Sequence, residues 1–264
     1  ANSDYGILMD KNAHGKIISC DFRENDYAIK LTSTEHTISK NSFGNDQKIE
    51  LRSKLTQDLT LQHPGQLDNG DTAPYLMRSK TQVSNEENPI TLTIQGGVQM
   101  QGTNWGGYSC GSSQLVIGKN AALKIAGTSR KPVLFTSQSL EDKDQDPWGK
   151  IIIKDDARSS ETVIKFAILE YGAADTYDVA GVCNNRNGEM LEIKNGSPEI
   201  SYSTFRYSSE DGLYIDENAL PVISNCKFLE NNDDGVTLEN PASGLNFEYC
   251  EFINNSDYAI QNEN

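Results

Sequence analysis

Hydrophobic residues recur along the second half of the chain at steps of 23 and 24 residues. Two series share these steps: Phe205, Phe228 and Phe252, and Ile200, Ile223 and Phe247. A fixed period of roughly 20 to 25 residues marks a stacked-repeat architecture, in which each repeat buries its apolar side against its neighbours. The pattern therefore predicts a chain that is wound as a solenoid.

Within one repeat, hydrophobic positions alternate with polar ones. Ile200 and Phe205, and then Leu213 and Ile215, are separated by Ser, Asp and Gly residues that suit tight bends. This alternation predicts short strands with one buried face, and no stretch has helical spacing long enough to compete. Equivalent strands stacked about 4.8 Å apart form parallel sheets, which are joined by right-handed crossovers. We predict an all-β fold, a right-handed parallel β-helix.

Upstream, the spacing is looser but the strand signal continues. Phe22 and Phe43 are 21 residues apart, whereas the step from Ile164 to Ile200 is 36 residues. The longer step predicts an insertion, which we assign to residues 172–188. Because loops that interrupt a rigid coil often carry function, this insertion is a candidate functional loop.

A phrase near the C-terminus, Cys250–Ile260, has a near copy at Cys20–Ile29. We therefore interpret residues 1–52 as the closing turns of one β-helix module and residues 53–264 as the next module, in one continuous solenoid. Both ends resemble the interior of a coil, which predicts either a slice of a longer array or subunits that self-associate end to end.

The composition is acidic, because 38 Asp and Glu residues against 23 Lys and Arg residues give a formal net charge of −15. This balance disfavours nucleic acid as a partner, since phosphate binding needs a basic surface. No stretch approaches the roughly 18 apolar residues of a membrane span, so we expect no membrane insertion. The negative charge favours divalent cations as partners.

The chain has five cysteines. Cys226 and Cys250 each precede an inward phenylalanine by two residues, so we expect them to point into the core of adjacent turns as free thiols. Cys110 and Cys183 lie in irregular segments, where a disulfide between them is the alternative to two more thiols. No Cys-x-x-Cys motif or Cys–His cluster indicates zinc.

Four segments between Leu59 and Ile260 follow a familiar order: I-T-L-T-I-Q-G-G-V, A-A-L-K-I-A-G-T-S-R-K-P-V-L-F-T-S, P-W-G-K-I-I-I and V-I-K-F-A-I-L-E-Y-G. This order resembles the bacterial extracellular β-helix proteins with pectate-lyase-like coil repeats. The resemblance implies a right-handed β-helix and a secreted or cell-surface location, and it implies no particular reaction. Lys150 departs from the family pattern, which usually has Gly there, and we expect the change to affect only a bend.

The acidic loop at residues 138–148 carries a candidate calcium site. Asp142, Asp144 and Asp146 occupy alternate positions, and carboxylates so spaced can converge on a hard cation. The resemblance supports the idea only in part, because related modules often carry a Gly in this loop that is missing here. A solvated run of charge is the alternative.

A second acidic group recurs with the repeat. Glu210, Asp233 and Asp257 occupy one position in three successive turns, and Asp211 and Asp234 lie beside them. Carboxylates stacked about 4.8 Å apart repel, so a cation, a shared proton or outward splay must relieve them. We predict that Glu210, Asp233 and Asp257 contribute to carbohydrate binding, and the alternative is that they are polar residues of exposed bends.

Aromatic residues accompany these acids. Tyr202 and Tyr249 precede an inward phenylalanine by three residues, so they should point outward, with Asn225 between them, and Tyr207 and Tyr214 should also point outward. Tyrosine rings suit stacking on the apolar C–H faces of sugars. We predict that Tyr202 and Tyr249 bind carbohydrate, although exposed tyrosines are also common on β-rich surfaces.

The segment Arg186–Lys194 faintly resembles a motif of alginate and chondroitin lyases. That resemblance implies Lys194 as the base, Arg186 as the acid, and Glu189 and Glu192 as calcium ligands. The same letters also fit the opening of any strand in this repeat, and no hydrolase motif is complete.

The sequence therefore favours a non-catalytic extracellular or cell-surface β-helix module that serves in adhesion, as a scaffold or in binding a polysaccharide or cell-surface glycan. The first alternative is a calcium-dependent polysaccharide lyase or a glycoside hydrolase. The second alternative is a filament subunit that assembles head to tail.

Overall fold

The computed structural model of the chain describes residues 5–10, 13–32, 36–51, 53–103, 112–139, 148–173, 188–240 and 243–263. Short strands account for nearly all of the regular structure in these ranges, and the helical segment among them is one 3-10 turn, Ser159–Glu161. In the part of the chain described, no helix has the length and apolar character needed to cross a bilayer.

The strands follow one another along the chain with short bends between them. In the first half they are β1 (Tyr5–Met9), β2 (Gly15–Ile18), β3 (Asp21–Phe22), β4 (Tyr27–Leu31), β5 (His36–Ser39), β6 (Asn41–Phe43), β7 (Ile49–Leu51), β8 (Lys54–Leu55), β9 (Leu59–Leu61), β10 (Gly65–Leu67), β11 (Tyr75–Met77), β12 (Thr81–Val83), β13 (Ile90–Gln95), β14 (Gln99–Gly102) and β15 (Leu115–Ile117). In the second half they are β16 (Ala121–Ala126), β17 (Val133–Ser137), β18 (Ile151–Ile153), β19 (Val163–Lys165), β20 (Ala167–Glu170), β21 (Glu189–Gly196), β22 (Glu199–Ser201), β23 (Thr204–Arg206), β24 (Asp211–Ala219), β25 (Val222–Ser224), β26 (Lys227–Leu229), β27 (Val236–Glu239), β28 (Asn246–Glu248), β29 (Glu251–Ile253) and β30 (Ile260–Glu263).

One parallel sheet runs through the described chain from β1 to β29, two more begin at β8 and β9, and two short sheets, β3-β6-β10 and β2-β5, belong to the N-terminal turns. The first sheet has ten strands in the order β1-β4-β7-β11-β14-β17-β20-β23-β26-β29. The second sheet has eight strands, β8-β12-β15-β18-β21-β24-β27-β30, and the third has seven, β9-β13-β16-β19-β22-β25-β28. From β11 onward every third strand belongs to the same sheet. Each turn of the coil therefore contributes one strand to the third sheet, then one to the first and then one to the second. This is the predicted all-β parallel β-helix.

Equivalent residues of successive turns stack in register, as the spacing predicts. Phe205 pairs with Phe228, and Phe228 with Phe252, in the first sheet. Their rings stack inside the coil with centroids 5.1 and 5.0 Å apart and interplanar angles of 7° and 9°. The near-parallel stacking follows from the rise of one turn, about 4.8 Å, which is close to the separation that stacked rings prefer.

The N-terminal turns stack in the same way despite their shorter period. Phe22 pairs with Phe43, and their rings lie 5.2 Å apart. Ile49 of β7 then pairs with Tyr75 of β11, so the first sheet continues across residue 52. The assignment of residues 1–52 to a preceding module stays a prediction, because strand pairing continues whether or not a module boundary lies there.

Asparagines in the bends serve the backbone. Asn231 is buried, and its Oδ1 accepts a hydrogen bond from the Ser208 amide at 3.1 Å while its Nδ2 donates to Asn255 Oδ1 at 2.9 Å. Asn255 in turn donates to the carbonyl oxygen of Phe228 at 3.2 Å. This internal ladder satisfies backbone groups that the bend leaves without strand partners. Asn231 and Asn255 are therefore structural.

The described cysteines are free thiols. Cys226 is fully buried and its thiol donates to the Ser224 carbonyl oxygen at 3.3 Å, whereas Cys250, one turn later, is partly buried. The prediction that Cys226 and Cys250 are free thiols that point toward the core is confirmed. Cys110 and Cys183 lie outside the described residues.

Truncating the central ring of the phenylalanine ladder tests this packing. Phe228→Ala removes a ring that contacts aromatic neighbours on both sides, so it should lower the free energy of unfolding by about 3–5 kcal/mol. Chemical denaturation measures the change. Val222→Ala, on the exposed face of β25, is the control and should cost less than about 1 kcal/mol. Equal costs for the two variants would contradict the ladder as the main stabilising element of these turns.

Candidate functional site

The outward aromatic residues lie at one bend that recurs in four successive turns. Phe166, Tyr202, Asn225 and Tyr249 each follow a strand of the third sheet and precede a strand of the first sheet. All four have positive φ, between 50° and 56°. The amides of the first three donate to carbonyl oxygens of the next turn at 2.8–3.2 Å, so the bends are hydrogen-bonded into a stack. We call these four residues the aromatic column.

Two rings of the column stack on each other. Phe166 and Tyr202 have ring centroids 4.9 Å apart with an interplanar angle of 17°. This separation matches the rise of one turn, so the ring faces look along the solenoid axis. Lys165 Nζ lies 5.7 Å from the centroid of Tyr202. Tyr202 is 48% exposed and Tyr249 is 85% exposed, so both side chains point outward as predicted.

Backbone preference does not explain the aromatic residues in this column. The left-handed region costs most residues about 1–2 kcal/mol, whereas Gly and Asn visit it readily. Asn225 therefore suits its bend, but Phe166, Tyr202 and Tyr249 do not. Positive φ also occurs at other bends of the coil, for example at Tyr207, Glu230 and Asn254, so the turn itself imposes the conformation. The feature that asks for an explanation is the choice of a ring at these bends, and strained residues of this kind cluster at functional sites.

The predicted acidic residues stack as expected, but they lie elsewhere on the coil. The Asp233 amide donates to the Glu210 carbonyl oxygen at 3.3 Å, and the Asp257 amide donates to the Asp233 carbonyl oxygen at 3.2 Å. Glu210 follows strand β23, whereas Tyr202 precedes it. The tyrosines and the acids therefore flank opposite ends of the strands of the first sheet. The two groups therefore do not form one cluster, and carbohydrate binding stays a prediction for each of them.

Beside this acidic stack, two aspartates turn inward. Asp211 and Asp234 are buried, and the carboxylates of Asp211, Asp233 and Asp234 lie within 4.8 Å of one another. Asp211 accepts from the Asp234 amide at 3.0 Å, and Asp234 accepts from the Tyr258 amide at 2.8 Å. The Thr237 hydroxyl lies 2.7 Å from Asp211 Oδ2 and 3.2 Å from Asp234 Oδ2.

One proton resolves the crowding between these carboxylates. Thr237 has a single hydroxyl hydrogen, so it can donate to one aspartate only and must accept from the other. Burial raises the pKa of Asp211 to about 7, against opposing hydrogen bonds from Thr237 and the Asp234 amide. A protonated Asp211 donates to Thr237, and Thr237 donates to Asp234, which satisfies the whole chain. Burial also raises the pKa of Asp233, with Asp234 and Asp257 adding to the rise.

The second sheet carries a buried network of ion pairs. Lys150 Nζ contacts Glu189 Oε1, and it lies 2.8 Å from Glu192 Oε2. Lys194 Nζ lies 2.5 Å from Glu192 Oε1. Lys150 joins two carboxylates from the next turn, so the expectation that it affects only a bend is wrong.

This network also contradicts the roles that the lyase motif implied. Burial pushes the pKa of Glu192 upward, but the ammonium groups of Lys150 and Lys194 outweigh it and hold the pKa at about 2. Burial raises the pKa of Glu189 to about 8, against the opposing pull of Lys150. Burial lowers the pKa of Lys194, yet Glu192 outweighs it and the net pKa is raised. A general base needs a pKa near the working pH, so Lys194 is unsuited to that role.

Two other tyrosines were predicted to point outward. Tyr214 lies on the outer side of β24, but it is buried there and its hydroxyl contacts Glu239 Oε2. Tyr207 stacks on Tyr171 with centroids 5.2 Å apart. Tyr214 therefore points outward as predicted, but it is covered and unavailable to a sugar ring.

Several predicted residues lie outside the described residues: Asp142, Asp144, Asp146 and Arg186. The calcium site of the acidic loop therefore stays a prediction. The sequence analysis also missed Phe166 and Lys165. The step of 36 residues from Ile164 to Ile200 would have placed Phe166 directly beneath Tyr202, because Ile164 and Ile200 pair in the third sheet.

Relief of the backbone conformation should stabilise the protein. Tyr249→Asn places a residue that tolerates positive φ at an exposed bend, so the free energy of unfolding should rise by about 1 kcal/mol. Urea denaturation measures the change. Tyr258→Asn is the matched control, since Tyr258 is also exposed but has no positive φ. A gain in both variants, or in neither, would show that backbone strain is not the cause.

The raised pKa of Asp211 makes stability depend on pH. The folded state keeps the proton that the unfolded state loses near pH 4, so stability is full below that pH and falls as pH rises to about 7. Asp211→Asn removes this dependence, and the difference between variant and parent should change by a few kcal/mol across about pH 4 to 7. Denaturation at several pH values measures it. Parallel profiles would mean that Asp211 is ionised throughout.

Comparison with known proteins identifies the architecture. The family model described as a pectate-lyase like beta helix domain matches residues 59–196, slightly more than half of the chain. A second model, described as a right handed beta helix region, matches residues 177–264. No curated protein and no solved structure matches the chain. The parallel sheets and both matches confirm the resemblance found in the sequence, and the chain belongs to the pectate-lyase-like right-handed β-helix family.

Proposed function

We propose that this chain is a glycan-binding module that acts outside the cell. Domains of this family are typically extracellular. The proposal is carried by one observation: aromatic residues occupy three of the four bends of the aromatic column although their backbone has positive φ. A conformation that costs free energy at three stacked positions is best explained by what the side chains do at the surface.

The gap in the column gives the proposal its geometry. Tyr202 and Tyr249 are two turns apart, about 10 Å along the axis. Asn225 lies between them, and its side chain is smaller than a ring. A sugar ring that enters above Asn225 can stack on the face of Tyr202 that points away from Phe166, with Tyr249 on its other side.

Polar groups beside the gap suit the hydroxyls of a sugar. The side-chain amide of Asn225 offers hydrogen-bond donors and an acceptor. The Lys165 ammonium lies 5.7 Å from the centroid of the Tyr202 ring. Apolar ring faces flanked by a few polar groups are the usual composition of a saccharide subsite. The acids Glu210, Asp233 and Asp257 flank the opposite ends of these strands, so we assign them no contact with this ligand.

The alternative functions have less support. A lyase needs a basic group that can take a proton, and Lys194 is held as an ammonium by Glu192. End-to-end self-association and a role in adhesion or as a scaffold stay predictions. Calcium also stays a prediction, and the experiment below includes it.

A glycan array, probed with and without calcium, tests the proposal. The parent protein should bind a subset of glycans, and Tyr202→Ala and Tyr249→Ala should each weaken that binding by about tenfold, since each removes one stacking face. Tyr258→Ala is the matched control, because it removes an exposed tyrosine outside the column and should leave binding unchanged.

Three results would contradict the proposal. The first is that no glycan binds under either condition. The second is that the two column variants bind as well as the Tyr258→Ala control does. The third is release of unsaturated, ultraviolet-absorbing products from a bound polysaccharide, which would make the protein a lyase.

A further inference from the structure

A cleft of about 420 Å³ opens on the outer side of the coil, in turns that precede the aromatic column. Polar residues line most of it, although their carbon atoms contribute much of its exposed surface. Gln99 and Gln101 reach it from alternate positions of β14, and Gln138 reaches it from the end of β17, the next strand of the first sheet. Ligand pockets commonly enclose about 300–1,000 Å³, so the cleft is large enough for a small molecule.

The three glutamines have uncommitted amides. Within the described residues, none of the side-chain amides of Gln99, Gln101 and Gln138 makes a hydrogen bond to the protein. Gln101 is only 5% exposed, and its Oε1 is buried without a hydrogen-bond partner among those residues. An unsatisfied buried carbonyl is costly, and in native proteins it calls for a water, an ion or a ligand as its partner.

The opposite wall of the cleft is already fixed. Asn69 accepts from the Asp71 amide at 3.0 Å and donates to the Asp71 carboxylate at 2.9 Å, while its own amide donates to Asn45 Oδ1 at 2.9 Å. Gln47 donates to the Asn25 carbonyl oxygen at 2.5 Å. These contacts hold the wall in place without using the three glutamines, so the cleft has a rigid side and a side with open hydrogen-bonding capacity.

The mixture of groups selects the chemistry of the ligand. A side-chain amide both donates and accepts hydrogen bonds, and a hydroxyl group is one partner that can do the same. Leu67, Pro74 and the carbon stems of the polar residues make most of the exposed lining apolar, which suits the C–H groups of a ligand. Asp46 and Asp71 disfavour an anion, and the Lys48 side chain offsets part of their negative charge.

We propose that this cleft binds an uncharged, hydroxyl-rich small molecule of the neutral hexose type, with Gln99, Gln101 and Gln138 as its hydrogen-bonding groups. The site is separate from the aromatic column and does not rest on the function proposed for it. A basic cleft that shares Thr72 and Gln99 adjoins it and carries Arg130 and Lys131, so an anionic sugar is the competing ligand that a test must include.

Saturation-transfer NMR on the folded chain tests the site, with glucose, galactose, mannose and galacturonate as separate probes. At least one neutral hexose should receive magnetisation from the protein. Gln101→Leu and Gln99→Leu should each weaken that interaction by about tenfold, the effect of leaving sugar hydroxyls unpaired. Gln95→Leu, an exposed glutamine on β13 outside the cleft, is the matched control and should change nothing. Tyr202→Ala should also change nothing, which separates this site from the aromatic column.

Stability provides the second readout. If the Gln101 side-chain carbonyl is unsatisfied until a ligand binds, Gln101→Leu removes an unsatisfied buried group. The variant should then be as stable as the parent or more stable. The proposal is overturned if no neutral hexose binds, if galacturonate alone binds, or if the glutamine variants bind as the Gln95→Leu control does. A clear loss of stability in Gln101→Leu would overturn it too, because Gln101 would then be a structural residue.

Discussion

The in-register stacking of successive turns is the constraint on which the rest of this molecule depends. Parallel strands of three sheets place each side chain about 4.8 Å from its equivalents in the turns before and after it. Phenylalanine and asparagine gain from this arrangement, since the Phe205, Phe228 and Phe252 rings stack and the Asn231 amide bonds to Asn255. The same spacing applies to side chains on the outer surface of the coil, so the stacking of turns determines which surface groups are neighbours.

Charged residues cannot follow this rule without compensation, and the structure compensates in two ways. Along the inner aspartates, the Thr237 hydroxyl and a raised Asp211 pKa replace the repulsion between carboxylates with a chain of hydrogen bonds. On the second sheet, Lys150 pairs with Glu192 of the next turn, and burial raises the pKa of the neighbouring Glu189, which also contacts Lys150. Both arrangements use these acidic groups to stabilise the fold.

The sequence was sufficient for what depends on the period and insufficient for what depends on contacts between different positions of the repeat. Steps of 23 and 24 residues predict the pairing of Phe228 with Phe205 and Phe252, and the structure confirms it. Lys150 and Glu189 are 39 residues apart across an insertion, so no period joins them. Gln101 carries no sequence signal either, because a glutamine on a strand normally faces solvent. Its burial depends on neighbours that only the folded chain brings together.

The central claim is that the gap above Asn225 receives a sugar ring, and Asn225→Tyr tests it most directly. The substitution adds a fourth aromatic residue to the column but fills the gap between Tyr202 and Tyr249. Calorimetric titration of the glycan that the parent protein binds measures the effect. The account predicts loss of binding in a folded variant that has one more exposed ring. Unchanged or tighter binding would contradict it, because the column would then act through its total aromatic surface.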